Sequence, residues 1–428
     1  MSPKLLQKTS EKKVTRDPIH GYITITRQVI WDALQTREFQ RLHRVHQLGG
    51  DFQVYPAAEH SRFVHSLGVY GIVRRITEEN ESVSAALSEE EKVIVQLAGL
   101  LHDLGHGPFS HSFEKMSGIS HEEMTWQLLL DEESEIGALL IRVDSHLAEQ
   151  VVSVLNHTHP HQLLSDLVSS QLDADRMDYL LRDAYFSGTT YGHFDLERVL
   201  RTLRTWNGRL AVKASGIHAV EDYILARYQM YHQVYLHPDA CGYEWLVCRF
   251  FQRLREVRNE QPVAVMECFF EQPMTSSTFW LLDESRFFTG LQESLHHPDD
   301  QLRFLADAIL NRKLPDWAVV EQDQVQEISE KIARLCSDRH MNSIWLQDQE
   351  EIRPCECLPY TEEDSRPVLV LSSDEELLPL SQASAIARAL LLTQRENTRR
   401  VFFPKSLRME VRQLLQQEKA RQSEKQTV

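Results

Sequence analysis

The chain has 428 residues, enough for a large buried core and two or three domains. Hydrophobic residues make up 42% and charged residues 25%, the balance of a soluble globular protein, which excludes wholesale disorder. A net charge of −17 argues against nucleic-acid binding over the whole surface, although arginines gathered in one cleft can reverse the field locally for a polyphosphate.

No apolar run approaches the roughly 20 residues needed to span a bilayer, and the basic N-terminus has no apolar segment of the secretory kind. The six cysteines (Cys241, Cys248, Cys268, Cys336, Cys355, Cys357) lack paired metal spacing. Together these features fit a reducing cytoplasm.

Val14 to Thr26 reads as short strands about a turn at Asp17-Pro18 and His20-Gly21. From Thr26 to Leu48 apolar residues recur at helical spacing, with Arg41, His43, Arg44 and His46 on the polar face. That face reads first as solvated, with an anion site as the sharper alternative. Gly49-Gly50 breaks the helix. The next one puts Arg62 and His65 on a shared face. Ser88 with Glu91 forms a capping box that opens an apolar helix through Leu101.

That helix delivers His102 and Asp103 side by side, followed by His106 and His111 in a loop broken by Gly105, Gly107 and Pro108. Adjacent imidazole and carboxylate are a poor packing choice but a good donor pair for first-row divalent ions. His65 before them and Asp175 after them are further candidate ligands. On the helix around Asp175, residues Asp175, Tyr179 and Asp183 line one side with Arg176 beside them. Asp178 and Arg182 form an i, i+4 pair that reads as structural.

Trp206-Asn207-Gly208-Arg209 is a hairpin turn. The helix after it places Arg227, Tyr231 and Tyr235 on one face, either as core or as a clamp for a phosphate and a sugar or base. The Asn311–Trp317 stretch marks a boundary between domains at 1–312 and 313–428. Beyond it RPVLVLS and RRVFFP read as strands, SQASAIARALLLT and SLRMEVRQLLQQ as helices, and the last ten residues as a polar tail. The fold class is mainly α, with short β segments and a small α/β C-terminal lobe.

In order, DPIHGYITI, FQRLHRVHQLGG, HSRFVHSLGV, AGLLHDLGHGPFSH and LDADRMDYLLRDA resemble the HD-domain phosphohydrolases. The branch they match best holds deoxynucleotide triphosphohydrolases related to the vertebrate enzyme with sterile-alpha-motif and HD domains. The resemblance covers about Lys13 to His237. With no sterile-alpha-motif domain ahead of it, a microbial relative is expected. The resemblance implies one divalent metal per subunit (Mn, Fe, Mg or similar) on His65, His102, Asp103 and Asp175.

It further implies active-site roles for His106, His111 and His121, with Glu114 where relatives carry Asp. Arg62, Arg176 and Arg227 would bind triphosphate, Tyr179 and Asp183 the 3′-hydroxyl, and Tyr235 the sugar, with Gln47 and Leu48 lining the pocket. A homotetramer is implied, with nucleotide activator sites at positions matching Lys13, Val14, Gln40 and Arg198. Gln35 and His43 replace the acid and arginine that read guanine in the vertebrate enzyme, so GTP-specific activation is not expected. The activity implied is hydrolysis of a dNTP to a deoxynucleoside and inorganic triphosphate. Rival readings are an HD phosphohydrolase acting on a ribonucleotide or guanosine alarmone, and a nucleotide-sensing or nucleic-acid-binding protein with vestigial activity.

Overall fold

The computed structural model describes residues 3–339, 341, 367–372, 376–392 and 398–426. Cys355, Cys357 and the side chains of His111, Lys419 and residues 421–426 lie outside the described residues. Two compact units are built from interleaved segments. The first takes its described residues from 3–235, 265–287 and 367–392; the second takes them from 236–264, 288–341 and 398–426.

The first unit opens with an antiparallel hairpin of β1 (Lys8–Asp17) and β2 (Gly21–Arg27), in register at Val14↔Thr24. The single helix expected next is broken. α1 (Gln28–Gln35) stops at Thr36, whose ψ of 146° is extended, and α2 (Arg37–Arg41) runs into a 3-10 turn, Leu42–Arg44. Arg41 does not lie on a solvated face: it is 1% exposed. The helical period therefore misplaced Arg41, which is buried on α2 while His43 and Arg44 are exposed.

Then follow α3 (Arg62–Glu79), α4 (Glu81–Ala86) and α5 (Glu89–Leu101). The Ser88–Glu91 capping box opens α5 as expected. Every residue of α5 from Val93 to Leu101 is buried, which makes it a core helix rather than a surface one. Burial of each large aliphatic side chain there contributes about 1.5–3 kcal/mol.

After the HDLGHG loop come α6 (His111–Ser117), α7 (His121–Leu130), α8 (Glu135–Val143), α9 (Leu147–Leu155), α10 (Gln162–Val168) and α11 (Ala174–Ser187). α3 packs between α5 and α11. Gly68 permits the second contact, because a Cβ there would lie 1.9 Å from Asp178 Oδ1. α12 (Leu196–Thr202) leads into the hairpin β3 (Leu203–Trp206) and β4 (Arg209–Lys213), turned by Asn207 and Gly208 at φ of 50° and 74°. α13 (Ile217–Met230) then loosens into a π-helical turn, Tyr231–Tyr235. Strand Leu369–Leu371 pairs in parallel with β4 at Val212↔Val370.

In the second unit, helices Pro238–Val257 and Asp300–Leu310 pack together. Strands Asp316–Glu321 and Thr398–Phe403 pair antiparallel, with Ala318 and Val320 inward and Trp317 and Val319 outward. The strands read in the C-terminal third thus divide between the two units. Among the described residues, no helix is long and apolar enough to cross a membrane.

Candidate active site

Three elements converge on one point in the first unit. α3 brings His65, the end of α5 brings His102, and the first turn of α11 brings Asp175. One donor atom from each lies within 4.8 Å of the others, so the three could hold a metal ion. His65 Nε2 is 3.1 Å and His102 Nε2 is 3.6 Å from Asp175 Oδ1. Neither imidazole nitrogen finds a well-directed hydrogen bond, although both are buried. Two buried imidazole nitrogens beside a carboxylate are the donor set a divalent ion needs, so the residues fit the metal.

The other face of each ring explains the orientation. His102 Nδ1 lies 3.0 Å from the Gly99 carbonyl, which only accepts, so Nδ1 carries the hydrogen and Nε2 the lone pair. His65 Nδ1 lies 2.8 Å from Asp178 Oδ2. Asp178 is itself held by Arg182 at 2.8 and 2.9 Å and by His20 Nε2 at 2.5 Å, and Arg182 continues to Asp17 at 2.8 Å. The Asp178–Arg182 pair is therefore structural, as read, but it also orients a candidate ligand.

Electrostatics follow from this crowd of carboxylates. Burial disfavours charge on His65, yet Asp175 and Asp178 raise it to about 10. His102 is raised too, against burial, chiefly by Asp103. Burial works against ionised Asp175 as well, but the facing His102 and His65 imidazoles hold it well below the usual carboxylate range. The pocket attracts positive charge. Asp175, with 29% of its side chain exposed, is the most open of the three.

Asp103 stands at the rim of this group. Its Oδ1 is 3.2 Å from His102 Nε2, and its Oδ2 is paired with Arg62 Nη1 and lies 3.8 Å from His65 Nε2. Arg62 also donates to Ser110 Oγ at 2.7 Å. The loop between is tightly fitted. A Cβ on Gly105 would lie 2.0 Å from the His121 carbonyl, and Phe109 and Ser110 take left-handed φ values of 55° and 39° without being glycine. Such residues cost about 1–3 kcal/mol each and cluster at functional sites.

The histidines gather here. His106 stacks on His121 with ring centroids 3.9 Å apart, and His121 Nδ1 is 2.5 Å from Glu114 Oε1. Burial, then the Arg62 guanidinium, holds His106 well below the usual imidazole range, so it is neutral at pH 7. His111 opens α6, but its side chain lies outside the described residues.

Arg176 is paired with Asp173, and Arg227 donates to Gln171 Oε1 at 2.8 Å and lies over the Tyr231 ring at 5.8 Å. Both keep a buried Nε without a partner. The charges of Arg227, Arg176 and Asp175 all act on Tyr179, whose phenol is pushed well above its usual range mainly by burial. Tyr179 meets Tyr235 edge-on at 6.0 Å. Tyr235 Oη donates to Asp183 Oδ2 at 2.8 Å, while His60 Nε2 holds Asp183 Oδ1 at 2.8 Å. Gln47 faces this area through its carbonyl, 3.5 Å from Arg62 Nη2, with Leu48 next in the chain.

The positions expected to read an activator are dispersed. Lys13 pairs with Glu11 and lies over Trp31, and Val14 is exposed. Gln40 donates to the Leu34 carbonyl, His43 stacks on Phe63 at 3.6 Å, and Arg198 donates to the Ser215 carbonyl. Among the described residues no hydrogen bond or ring contact joins these five.

Sequence reasoning missed His20, His60 and Glu284 as site residues, and read Arg41 as part of a solvated face or an anion site and not as a brace of the loop. His20 and His60 had a signal, since each stands beside a motif; the other two are recognised only by their partners.

Residues 62–183 match the model of the HD domain, and residues 194–424 match that of the HD associated region. The protein YwfO of Bacillus subtilis is 36% identical over 95% of this chain and 98% of its own length. A deoxynucleoside triphosphate triphosphohydrolase SAMHD1 homolog of Dictyostelium discoideum is 30% identical over 56% of this chain. This chain spans about half, 49%, of that relative. A crystal structure of a phosphohydrolase from Bacteroides thetaiotaomicron superposes with a TM-score of 0.79 at 26% identity, over 92% of this chain and all of that one. With its fold, its His-His-Asp cluster and these relatives in agreement, the chain belongs to the HD-domain phosphohydrolase family.

Proposed function

We propose that the protein hydrolyses deoxynucleoside triphosphates to a deoxynucleoside and inorganic triphosphate. The observation that carries this reading is the adjacency of the His65, His102 and Asp175 donors to buried cations and tyrosines on one side of α11. Asp103 completes the ligand set in this reading. A divalent ion held there would supply an activated water and a Lewis acid for the α-phosphorus.

The protein's own groups account for the rest. Arg62, Arg176 and Arg227 spread positive charge along the phosphates, where it offsets charge developing in the transition state. Tyr179 and Tyr235 keep their phenolic hydrogens and so donate hydrogen bonds, with Asp183 accepting, on the sugar side. Tyr231 faces Tyr235 at 5.2 Å and extends that wall. Glu114 accepts from His121 Nδ1–H, so the imidazolium form of His121 can pass its Nε2 proton to the departing 5′-oxygen and is left as the neutral ring with Nδ1–H on Glu114. Neutral His106 stacks beneath it and fixes its plane. The resemblance gives an active-site role to His111 as well, which opens α6.

We further infer a homotetramer with Lys13, Val14, Gln40, His43 and Arg198 near nucleotide sites between subunits. Incubation with each dNTP and each NTP plus Mn²⁺ or Mg²⁺, with the products identified, tests the reaction. Release of triphosphate from dNTPs supports it, while turnover confined to ribonucleotides overturns it. Sedimentation and kinetics with a second nucleotide test the assembly.

A further inference from the structure

The Arg41 guanidinium is buried, yet no carboxylate pairs with it among the described residues. Its charge is met at hydrogen-bond distance by carbonyl dipoles, while the Asp283 and Glu38 carboxylates favour it from farther off. Nη1 donates to Leu282 O, and Nη2 donates to both Leu104 O and His106 O, each at 2.7 Å. The Phe279 ring lies beneath it at 4.5 Å. Burial pulls its pKa down only to about 9, so it stays charged at neutral pH.

A side chain needed only to fill space here would be apolar, since a buried charge is costly. What a guanidinium adds is a rigid fork. One nitrogen chelates the Leu104 and His106 carbonyls, which fixes the 104–105 and 106–107 peptide planes at the two ends of the Gly105-His106 segment. The opposite nitrogen anchors that assembly to Leu282.

The neighbours of Leu282 reinforce the arrangement. Asp283 Oδ2 accepts from Arg44 Nε at 2.5 Å. Glu284 Oε1 accepts from His46 N at 3.0 Å and from Phe109 N at 3.4 Å. Residues 282–284 therefore brace the active-site loop at two places, Leu104–His106 through Arg41 and Phe109 through Glu284. This segment comes from the HD associated region, yet it packs within the first unit.

We propose that Arg41 is a positioning residue for His106, tying the 104–106 backbone to Leu282 so that residues 282–284 hold the active-site loop in its working shape. Only the turnover readout rests on the proposed dNTP hydrolysis.

The test is Arg41→Lys, which keeps the charge but cannot span three carbonyls. Hydrogen exchange should quicken about tenfold or more at amides 104–110 while α5 and α11 keep their rates. Bound Mn²⁺ per chain and KM should stay within about twofold, while kcat falls roughly 10²-fold, the scale of losing a proton-transfer group. Unchanged loop exchange in the folded variant overturns the proposal. So does a joint loss of metal, KM and kcat with faster exchange everywhere, which marks a purely structural arginine. If Arg41→Lys does not fold, Phe279→Leu decides, because it removes the ring beneath the guanidinium and keeps an apolar filler. Faster exchange confined to 104–110, by about threefold, supports the proposal, and unchanged exchange there overturns it. If the wild-type protein turns over no dNTP, the functional reading fails while the exchange measurements still decide the role of Arg41.

Discussion

His65 Nδ1 and Asp178 Oδ2 are 2.8 Å apart, and both side chains are fully buried. This contact turns His65 Nε2 toward Asp175 and His102. Asp178→Asn keeps an acceptor oxygen but removes the charge that Arg182 and His20 share. Metal affinity should fall about 10–100-fold, as for other partners that orient a metal-binding imidazole. Competition against a chelator, run below the variant's lowered melting midpoint, measures it. Wild-type affinity would remove Asp178 from the metal centre.

Much of this was legible in the sequence for a physical reason. His102-Asp103 follows a capping box and an apolar run, so helix start, helix face and ligand position were all local signals. The break at Thr36 was not legible, because apolar spacing continues smoothly across it. The π turn at Tyr231–Tyr235 was hidden likewise, since one extra residue per turn barely alters a helical pattern over five residues. Arg41 and Glu284 depend on partners 241 and 175 residues away, and no local pattern records such pairings.

Replacing His102 and Asp103 together with alanine removes one member of the His65, His102 and Asp175 cluster and the carboxylate at its rim. Bound metal should fall to background by elemental analysis, while circular dichroism stays helical because α5 is held by its apolar residues. Metal near one per chain in that variant would exclude the pair as ligands.

Metal binding should release protons. His65 is raised to about 10 without metal, so it is protonated at pH 7.5 and must become neutral to coordinate. Asp175 is held low and contributes none. Calorimetric titration with Mn²⁺ in buffers of differing ionisation enthalpy should give at least about one proton released per ion bound. An enthalpy independent of the buffer would contradict the protonated state of His65.

The His46–Glu284 pair should make stability depend on pH. Burial acts against charge on His46, but its hydrogen bond to Glu284 raises the pKa above the ordinary 6.5. A histidine raised in the native state contributes stability that is complete below the unfolded value and lost as pH rises through the native one. Melting midpoints should therefore fall on going from pH 6 to pH 9 by more in the wild type than in His46→Gln. Parallel curves would assign the pH dependence elsewhere.

Tyr235 combines two roles that separate variants can divide. Its ring meets Tyr179 and Tyr231, and its hydroxyl donates to Asp183. Burial and the neighbouring Asp183 push the phenol well above its usual range, so the donor persists across the working pH. If the ring excludes a 2′-hydroxyl by contact, Tyr235→Ala should raise turnover of NTPs relative to dNTPs. Tyr235→Phe keeps the ring and should keep the discrimination, while losing about 1.5–3 kcal/mol of hydrogen bonding to the Asp183 carboxylate. Ratios of kcat/KM for matched dNTP and NTP pairs measure both effects. An equal loss of discrimination in the two variants would place selectivity in the Asp183 hydrogen bond rather than in the ring.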